Sequence, residues 1–241
     1  ISFYTQSDYN GFGVSCNGDN DGLIDLTVNG GVTPHTYNWN SGQYSSEDLS
    51  VIGAGTYSVV ATDLNGCTTT ETVVITESVT LTSSYTQSDY NGFGVSCNGD
   101  SDGSIDLTVN GGVDNQNYTY VWNDAFTSED RVLLGAGTYS VVVTDANGCS
   151  TSETVIITEA DPVTSSFTTT DWNNFEIQCN GGNNGEIVLN VLGGVIAQSN
   201  SYDIDGFSNS TNIFSNLTVG TYIVRATDVN GCSTSQSVTM N

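Results

Sequence analysis

A short segment in which apolar and polar residues strictly alternate occurs three times along the chain. In the first occurrence, Ile24, Leu26 and Val28 alternate with Asp25 and Thr27. Successive side chains of a β-strand point to opposite faces, so a period of two predicts a strand with one buried face. The two later occurrences carry their apolar residues at Ile105, Leu107 and Val109 and at Ile187, Leu189 and Val191.

The residues that follow the first of these segments also indicate β-structure. A strand with Tyr37 and Trp39 comes after a Gly-Gly turn, and another strand begins near Tyr57. Asn-Gly pairs readily take the positive φ values of tight hairpin turns, so we expect such a turn at Asp63–Gly66. A closing strand rich in Thr and Val follows. Short strands at regular spacing predict an immunoglobulin-like β-sandwich.

Larger stretches of the sequence repeat as well. The stretch Tyr4–Gly22 returns as Tyr85–Gly103 with a single change, and a diverged third copy runs from Phe167 to Gly185. We therefore predict an all-β chain of three tandem immunoglobulin-like sandwich repeats of about 80 residues. The predicted domains are 1–77, 78–159 and 160–241. Their short junctions cannot act as long flexible linkers, so we expect the repeats to lie end to end.

The charge of the chain excludes two classes of partner. It has 27 acidic and 2 basic residues, which gives a net charge of −25. Such a field repels phosphate, so we expect no nucleic-acid partner. No apolar run approaches the ~18 residues of a membrane span, so we expect no membrane insertion. The N-terminal residues lack the features of a signal peptide, and we expect a mature or excised part of a longer protein.

The scarcity of basic residues also argues against an enzyme. The chain has no lysine, and His35 is its only histidine. A histidine-based triad or a multi-histidine metal site cannot be built from one copy. Because no acid, base and nucleophile recur together in the repeats, we predict a protein that is not an enzyme and needs no cofactor.

Six cysteines occupy matched positions, two in each repeat. This distribution favours disulfides, and therefore an extracellular location, over a zinc site with clustered spacing. The pairing depends on the shape of the loop at residues 17–25, and we favour a disulfide within each repeat. The alternatives are free thiols or pairing of Cys16 with Cys149 and of Cys97 with Cys232, which would join consecutive repeats. The pairs in sequence order are Cys16 and Cys67, Cys97 and Cys149, and Cys179 and Cys232.

The loop after the first cysteine of each of the first two repeats resembles a calcium-binding loop. Hard oxygen ligands at alternate positions around a glycine suit Ca²⁺. However, the twelfth position is Val28 or Val109 instead of glutamate, so a polar hairpin turn is the favoured alternative. The third repeat has Asn184 in place of Asp21, and we expect no ion there. The candidate ligands are Asn17, Asp19, Asp21 and Asp25 in the first repeat and Asn98, Asp100, Asp102 and Asp106 in the second.

Aromatic residues recur just before each first cysteine. Aromatic rings can act as platforms for sugars, although packing in the core or at a junction is the favoured interpretation. Polysaccharide or a solid substratum is therefore a candidate partner, beside the neighbouring repeats of the same chain. The pairs are Tyr9 and Phe12, Tyr90 and Phe93, and Trp172 and Phe175.

The ordered string of motifs in each repeat resembles the SprB-type repeat. In the first repeat these motifs are Val14–Gly18, Asp21–Ile24, Gly30–Gly31, Tyr37 with Trp39, Ala54–Tyr57 and Thr62–Cys67. All three repeats match, but the third replaces Trp39 by Ile204. The SprB family occurs in very large surface adhesins of gliding bacteria, which the type IX secretion system exports.

The resemblance implies a secreted protein at the bacterial cell surface. It also implies that the chain is a structural repeat segment of an adhesin or fibre in gliding motility and surface adhesion. Two alternatives are a polysaccharide-binding module that uses the aromatic residues and a subunit of an extracellular multi-chain filament assembled by strand exchange.

Overall fold

Strands are the regular elements of the computed structural model, which describes residues 1–113, 117–195 and 200–241. No helix in these ranges is long and apolar enough to cross a membrane. The chain divides into two compact units. The first contains Ile1–Tyr85, Leu107–Glu129 and Ser140–Thr154, and the second contains Thr86–Asp106, Asp130–Tyr139 and Val155–Asn241.

The first repeat lies entirely within the first unit and forms two antiparallel three-stranded sheets. Their strand orders are β1-β2-β4 and β3-β5-β6. This is the A-B-E and C-F-G arrangement of an immunoglobulin-like sandwich. The strands are β1 (Ser2–Gln6), β2 (Gly22–Val28), β3 (Thr36–Trp39), β4 (Leu49–Ile52), β5 (Gly55–Thr62) and β6 (Thr68–Ile75).

The core of this sandwich comes from the alternating faces of its strands. Ile24 and Leu26 on β2 are buried, while Asp25 between them is exposed. Trp39 is fully buried, and its Nε1 donates a hydrogen bond of 2.9 Å to the carbonyl of Ser46. The ring therefore fills the space between the sheets without leaving its polar atom unpaired.

A tyrosine near the start of β5 supports the immunoglobulin-like assignment. The Tyr57 hydroxyl donates to the carbonyl of Gly53 at 2.9 Å. A tyrosine that bonds back to the backbone a few residues upstream is a hallmark of this fold. The corresponding bonds are Tyr139 to Gly135 at 3.0 Å and Tyr222 to Thr218 at 3.0 Å.

The second repeat has the same two sheets, with strand orders β10-β8-β7 and β12-β11-β9, and its residues are distributed over both compact units. The boundary predicted after Glu77 falls in the connection between β6 and β7. Its strands are β7 (Val79–Gln87), β8 (Gly103–Gly112), β9 (Thr119–Trp122), β10 (Arg131–Leu134), β11 (Gly137–Thr144) and β12 (Ser150–Ile157).

The third repeat lies within the second unit and adds a strand. Its sheets have the orders β13-β14-β17 and β16-β15-β18-β19. Ile204, at the position of the missing tryptophan, is only partly buried against the core. The prediction of an all-β, immunoglobulin-like fold is confirmed. The strands are β13 (Thr164–Thr169), β14 (Gly185–Leu192), β15 (Ser201–Ile204), β16 (Phe207–Asn209), β17 (Ile213–Leu217), β18 (Gly220–Thr227) and β19 (Ser233–Met240).

Two glycines at equivalent positions have different surroundings. They provide a test of how closely β7, the first strand of the second repeat, approaches Gly111. Gly30 and Gly111 both have positive φ, at +93° and +79°. A Cβ on Gly111 would overlap the carbonyl oxygen of Thr80, whereas a Cβ on Gly30 would meet nothing within 4 Å.

Gly111→Ala should therefore lower the free energy of unfolding by about 2 kcal/mol more than Gly30→Ala. Both variants incur the cost of positive φ, roughly 1–2 kcal/mol, and only Gly111→Ala must also displace β7. Denaturant unfolding of the full chain measures the difference. Equal losses would mean that β7 does not approach Gly111 closely.

Candidate functional site

Disulfides join consecutive repeats in both compact units. In the first unit, Cys16 is bonded to Cys149, with a Cα–Cα distance of 5.7 Å across a sequence separation of 133 residues. In the second, Cys97 is bonded to Cys232, with a Cα–Cα distance of 5.6 Å and a separation of 135 residues. Each bond connects the first cysteine of one repeat to the second cysteine of the next.

The favoured prediction of a disulfide within each repeat is therefore wrong. The N–H groups of Gly13 and Val14 donate to the carbonyl of Thr76, which places Cys16 near the end of β6. Cys67 immediately precedes the start of β6. The eight residues of β6 separate the two sites by roughly 25 Å, whereas a disulfide needs Cα atoms within about 7 Å. Cys67 and Cys179, both predicted as disulfide residues, are free and exposed.

The cysteine from the following repeat is carried by a tight turn that we call the docking turn (residues 145–149). Asp145 Oδ1 accepts hydrogen bonds of 2.9 Å from the N–H groups of both Asn147 and Cys149. Gly148 takes a φ of +90°, as expected for the Asn-Gly pair of a hairpin turn. The turn thus presents Asn147 and Cys149 together in a fixed conformation.

The docking turn lies against a segment of the first repeat that we call the acceptor loop (residues 9–16). Asn147 Nδ2 donates to the carbonyls of Tyr9 and Ser15, at 3.1 and 2.9 Å. Asn147 Oδ1 accepts from Asn10 Nδ2 at 2.5 Å. The amide therefore uses both of its donor hydrogens and its acceptor oxygen beside the disulfide.

The second unit repeats this arrangement with its own docking turn (residues 228–232) and acceptor loop (residues 90–97). Asn230 Nδ2 donates to the carbonyls of Tyr90 and Ser96, at 3.0 and 3.1 Å. Its Oδ1 accepts from Asn91 Nδ2 at 2.5 Å. Two junctions in one chain thus share one set of contacts, which identifies the set as a connector between repeats.

A second group of hydrogen bonds holds the connecting segment. Asn17 Nδ2 donates to the carbonyl of Ser78 at 2.8 Å, and Asn17 Oδ1 accepts from Thr80 Oγ1 at 2.7 Å. The N–H of Gly18 donates to Glu77 Oε2 at 2.7 Å. At the next junction, Asn98 bonds the carbonyl of Ala160 at 2.9 Å and Gly99 bonds Glu159 at 2.7 Å. Asn17 and Asn98, predicted as calcium ligands, therefore fix the connecting segment.

The predicted calcium ligands of the first repeat also bond within their own loop. Asp19 Oδ2 accepts from Ser15 Oγ at 2.9 Å, and Asp21 Oδ1 accepts from the N–H of Ser15 at 3.0 Å. Hydrogen bonding to Ser15 lowers the pKa of Asp21 from its ordinary value of 3.8. The bond to Asp21 stabilises the loop above the ordinary pKa of the carboxyl group, and its contribution is lost as the pH falls through the lowered pKa. Asp25 lies on the exposed face of β2.

The second repeat shows the same pattern. Ser96 bonds Asp100 and Asp102 at 2.9 and 3.0 Å and lowers the pKa of Asp102, and Asp106 is exposed. Among the described residues, no group of three or more His, Cys, Asp and Glu side chains is placed to hold a metal ion. The hydrogen bonds give these carboxylates a structural role, and calcium binding stays a prediction.

Calcium binding is tested by thermal unfolding of the full chain in calcium and in chelator. A calcium site in the first repeat should raise the melting temperature. At a calcium concentration of about one hundred times Kd, binding adds about 2.7 kcal/mol to the free energy of unfolding. The rise should shrink in Asp21→Asn and disappear when Asp102→Asn is added. The matched change Asn184→Ala in the third repeat should leave the rise intact. Identical melting with and without calcium would remove the prediction.

Sequence reasoning missed the asparagines of the junction. Asn147 and Asn230 each precede a glycine, and an Asn-Gly pair by itself predicts only a hairpin turn. The overlooked signal is that Asn and Cys recur in all three turns at a fixed spacing. Turn formation explains the Asn-Gly pair, but it does not require a cysteine after it.

The recurring aromatic pairs precede the first cysteine of each repeat, and in the first two repeats they belong to the acceptor loops. The N–H of Tyr9 donates to the carbonyl of Phe12 at 2.7 Å, which shapes the acceptor loop. Both side chains are half-buried. In the third repeat, Trp172 and Phe175 are 42% and 59% exposed. Tyr9 and Phe12 are therefore partly covered in the acceptor loop, whereas Trp172 and Phe175 are accessible.

Comparison with solved structures gives matches of low similarity. The N-terminal eight immunoglobulin domains of DSCAM match with 11% identity and a TM-score of 0.32, over 88% of this chain and 33% of that one. The chain thus spans a third of the DSCAM fragment. Drosophila OTK extracellular domains 3–5 match with 10% identity and a TM-score of 0.34, over 99% and 91%. The fold assignment rests on strand order and not on these matches.

A third match is SGBP-B of the Bacteroides ovatus mixed-linkage glucan utilization locus, in complex with a heptasaccharide. It has 15% identity and a TM-score of 0.19, over 90% of this chain and 62% of that one. No curated protein sequence matches the chain significantly.

The family model of the SprB repeat matches the chain at residues 14–44, 95–127 and 176–208. Each match begins two or three residues before the first cysteine of one repeat and continues through the next two strands. The matched segments include the first cysteine of every repeat and the position of Trp39 or its counterpart. The SprB repeat model therefore matches a segment of each of the three repeats.

Proposed function

We propose that the chain is a structural repeat segment of a secreted bacterial cell-surface adhesin that acts in gliding motility and surface adhesion. The observation that carries the proposal is the connector, which occurs in both compact units with the same asparagine contacts and the same cysteine pairing. The three matches to the SprB repeat model support the link to gliding adhesins. The role is mechanical and not catalytic.

The connector suits a segment that carries load. Hydrogen bonds between repeats exchange with water when a junction opens, and each contributes only about 1 kcal/mol net. A disulfide cannot exchange in this way, and it keeps consecutive repeats joined after the docking turn has lifted. Disulfides persist outside the cytosol, which fits an extracellular location.

Immunolabelling of intact, living cells tests the proposal. Antibodies against the three-repeat chain should label the surface of the producing bacterium, and the label should move as cells glide. Deletion of the segment from the gene should reduce spreading on agar and attachment under flow. Labelling that appears only after the cells are permeabilised would contradict a surface adhesin.

A polysaccharide-binding module is the alternative function, and one observation favours it. Trp172 and Phe175 are exposed, and Phe175 lines a groove together with Ile177 and Val219. Aromatic rings of this kind can stack on sugars. Titration with polysaccharides should then change the fluorescence of the chain, and Trp172→Ala should abolish the change. Absence of saturable binding would remove this alternative.

A further inference from the structure

Two halves of the connector have no partner within the described residues. The first repeat has a docking turn (residues 63–67) with the free, exposed Cys67. The third repeat has an acceptor loop (residues 172–179) with the free, exposed Cys179. The counterparts of Cys67 and Cys179 form two disulfides, Cys16–Cys149 and Cys97–Cys232.

The free docking turn has the conformation of the two bonded ones. Asp63 Oδ1 accepts from the N–H groups of Asn65 and Cys67, at 2.9 and 2.8 Å. Gly66 takes a φ of +83°. Hydrogen bonds from the backbone N–H groups of Val32, Cys67 and Asn65 lower the pKa of Asp63, so its carboxylate stays charged and holds the turn. The turn is thus preorganised before it meets a partner.

Burial distinguishes the free turn from the bonded ones. Asp145 and Asp228 are 6% and 8% exposed, whereas Asp63 is more accessible. Asn65 and Cys67 are exposed, while the corresponding Asn147 and Cys149 are half-buried. The docking turn of the first repeat is therefore uncovered, whereas the docking turns of the second and third repeats are covered by an acceptor loop.

The free acceptor loop also keeps the conformation of the bonded ones. The N–H of Trp172 donates to the carbonyl of Phe175 at 2.7 Å, the same distance as from Tyr9 to Phe12. Asn173 has a φ of 56°, close to the 52° of its counterpart Asn10. The carbonyls of Trp172 and Gln178 occupy the sequence positions of the Tyr9 and Ser15 carbonyls that bind Asn147.

We propose that the docking turn at Cys67 of one copy of this chain binds the acceptor loop at Cys179 of a second copy, and that the two cysteines form a disulfide. Asn65 Nδ2 donates to the carbonyls of Trp172 and Gln178, and Asn173 donates to Asn65 Oδ1. Since the two surfaces differ, the contact is head to tail.

The bond forms by thiol–disulfide exchange with an oxidised small-molecule disulfide such as oxidised glutathione. The Cys67 thiolate attacks glutathione disulfide and releases one glutathione, giving a mixed disulfide. The Cys179 thiolate of the second copy then attacks the Cys67 sulfur and releases the second glutathione. Two protein thiols lose two electrons and two protons in total, and one glutathione disulfide is reduced to two thiols.

Pairing between unlike ends should exceed pairing between like ends. Two Cys67 turns offer each other no acceptor-loop carbonyls for Asn65, and two Cys179 loops offer each other no docking asparagine. The net charge of −25 on each copy opposes every association equally, and salt at 0.15 M screens it beyond about 8 Å. The short-range contacts of the connector therefore decide which thiols meet.

The test uses two full-length variants, each with one of the two free thiols. Cys179→Ser keeps Cys67, and Cys67→Ser keeps Cys179. The variants are incubated in a glutathione redox buffer, separately and mixed in equal amounts, and are separated without reductant. The mixture should yield about tenfold more dimer than either variant alone, and peptide mass spectrometry should find Cys67 linked to Cys179. Equal dimer yields in all three samples, or only glutathione-capped monomers, would overturn the proposal.

A matched pair of substitutions in the docking turn separates recognition from random collision. Asn65→Ala in the Cys179→Ser variant should lower the dimer yield by about tenfold, because the connector hydrogen bonds are lost. Leu64→Ala should leave the yield unchanged, since it recreates the sequence of the turn at 145–149. Equal yields for the two would refute docking. The inference rests on the same connector as the proposed function, but its failure in vitro would leave surface labelling of cells unaffected.

Discussion

A chain pulled from its two ends should extend about three times further when reduced than when oxidised. The prediction is made for the variant Cys67→Ser/Cys179→Ser, which retains only the four cysteines of the two connectors. The length of an extended chain gives an end-to-end distance of about 280 Å for the oxidised form and about 840 Å for the reduced form. Single-molecule force spectroscopy with handles on both termini measures both lengths.

The short oxidised length follows from the overlap of the two disulfide-bonded loops. The shortest covalent path runs from Ile1 to Cys16, crosses the disulfide to Cys149 and follows the chain back to Cys97. It then crosses the second disulfide to Cys232 and ends at Asn241. About 80 residues lie on this path. If cysteines paired within repeats, this variant could form only Cys97–Cys149, and the oxidised chain would reach about 660 Å. That length would contradict the connector.

Truncation of the core tryptophan should cause the largest loss of stability among single substitutions. Trp39 is fully buried between the two sheets and packs within the core cluster of the first repeat. Trp39→Ala should lower the free energy of unfolding by about 4 kcal/mol, through lost burial and the cavity left behind. It also leaves the carbonyl of Ser46 without its indole partner. Denaturant unfolding monitored by circular dichroism measures the loss.

The third repeat supplies the matched control. Ile204 occupies the position of Trp39 but is only partly buried, so Ile204→Ala should cost clearly less than Trp39→Ala. Trp39→Phe keeps an aromatic ring and should fall between the two. Equal losses for Trp39→Ala and Ile204→Ala would show that the tryptophan does not anchor the sandwich.

The fold was predictable because its signals are local. Alternation at Ile24, Leu26 and Val28 reports a half-buried strand wherever that strand lies in the molecule. The Asn-Gly pair likewise reports a hairpin turn from backbone preferences alone. Since these signals recur three times in the same order, the sandwich and its repetition could be predicted without knowledge of any long-range contact.

The connector was not predictable in this way because it depends on where distant segments meet. The pairing of Cys16 is decided by hydrogen bonds of Gly13 and Val14 to Thr76, far along the sequence. No local pattern reports that contact. The shape of the loop at residues 17–25 cannot be derived from the sequence either, so the sequence leaves the pairing open.

The calcium pattern illustrates a related limit. Alternating oxygen-bearing side chains at Asn17, Asp19 and Asp21 suit a cation, and they equally suit hydrogen bonds to nearby backbone and hydroxyl groups. In the structure, Ser15 bonds the two carboxylates, and Asn17 bonds the connecting segment. Spacing in the sequence cannot distinguish the two uses, because both require the same residue types.

Disulfide mapping of the unreduced protein tests the connector most directly. The free thiols are first alkylated, and the protein is then digested without reductant and analysed by peptide mass spectrometry. In the monomer, we predict peptides that link Cys16 to Cys149 and Cys97 to Cys232, with Cys67 and Cys179 alkylated. Peptides that link Cys16 to Cys67 and Cys179 to Cys232 would contradict the account.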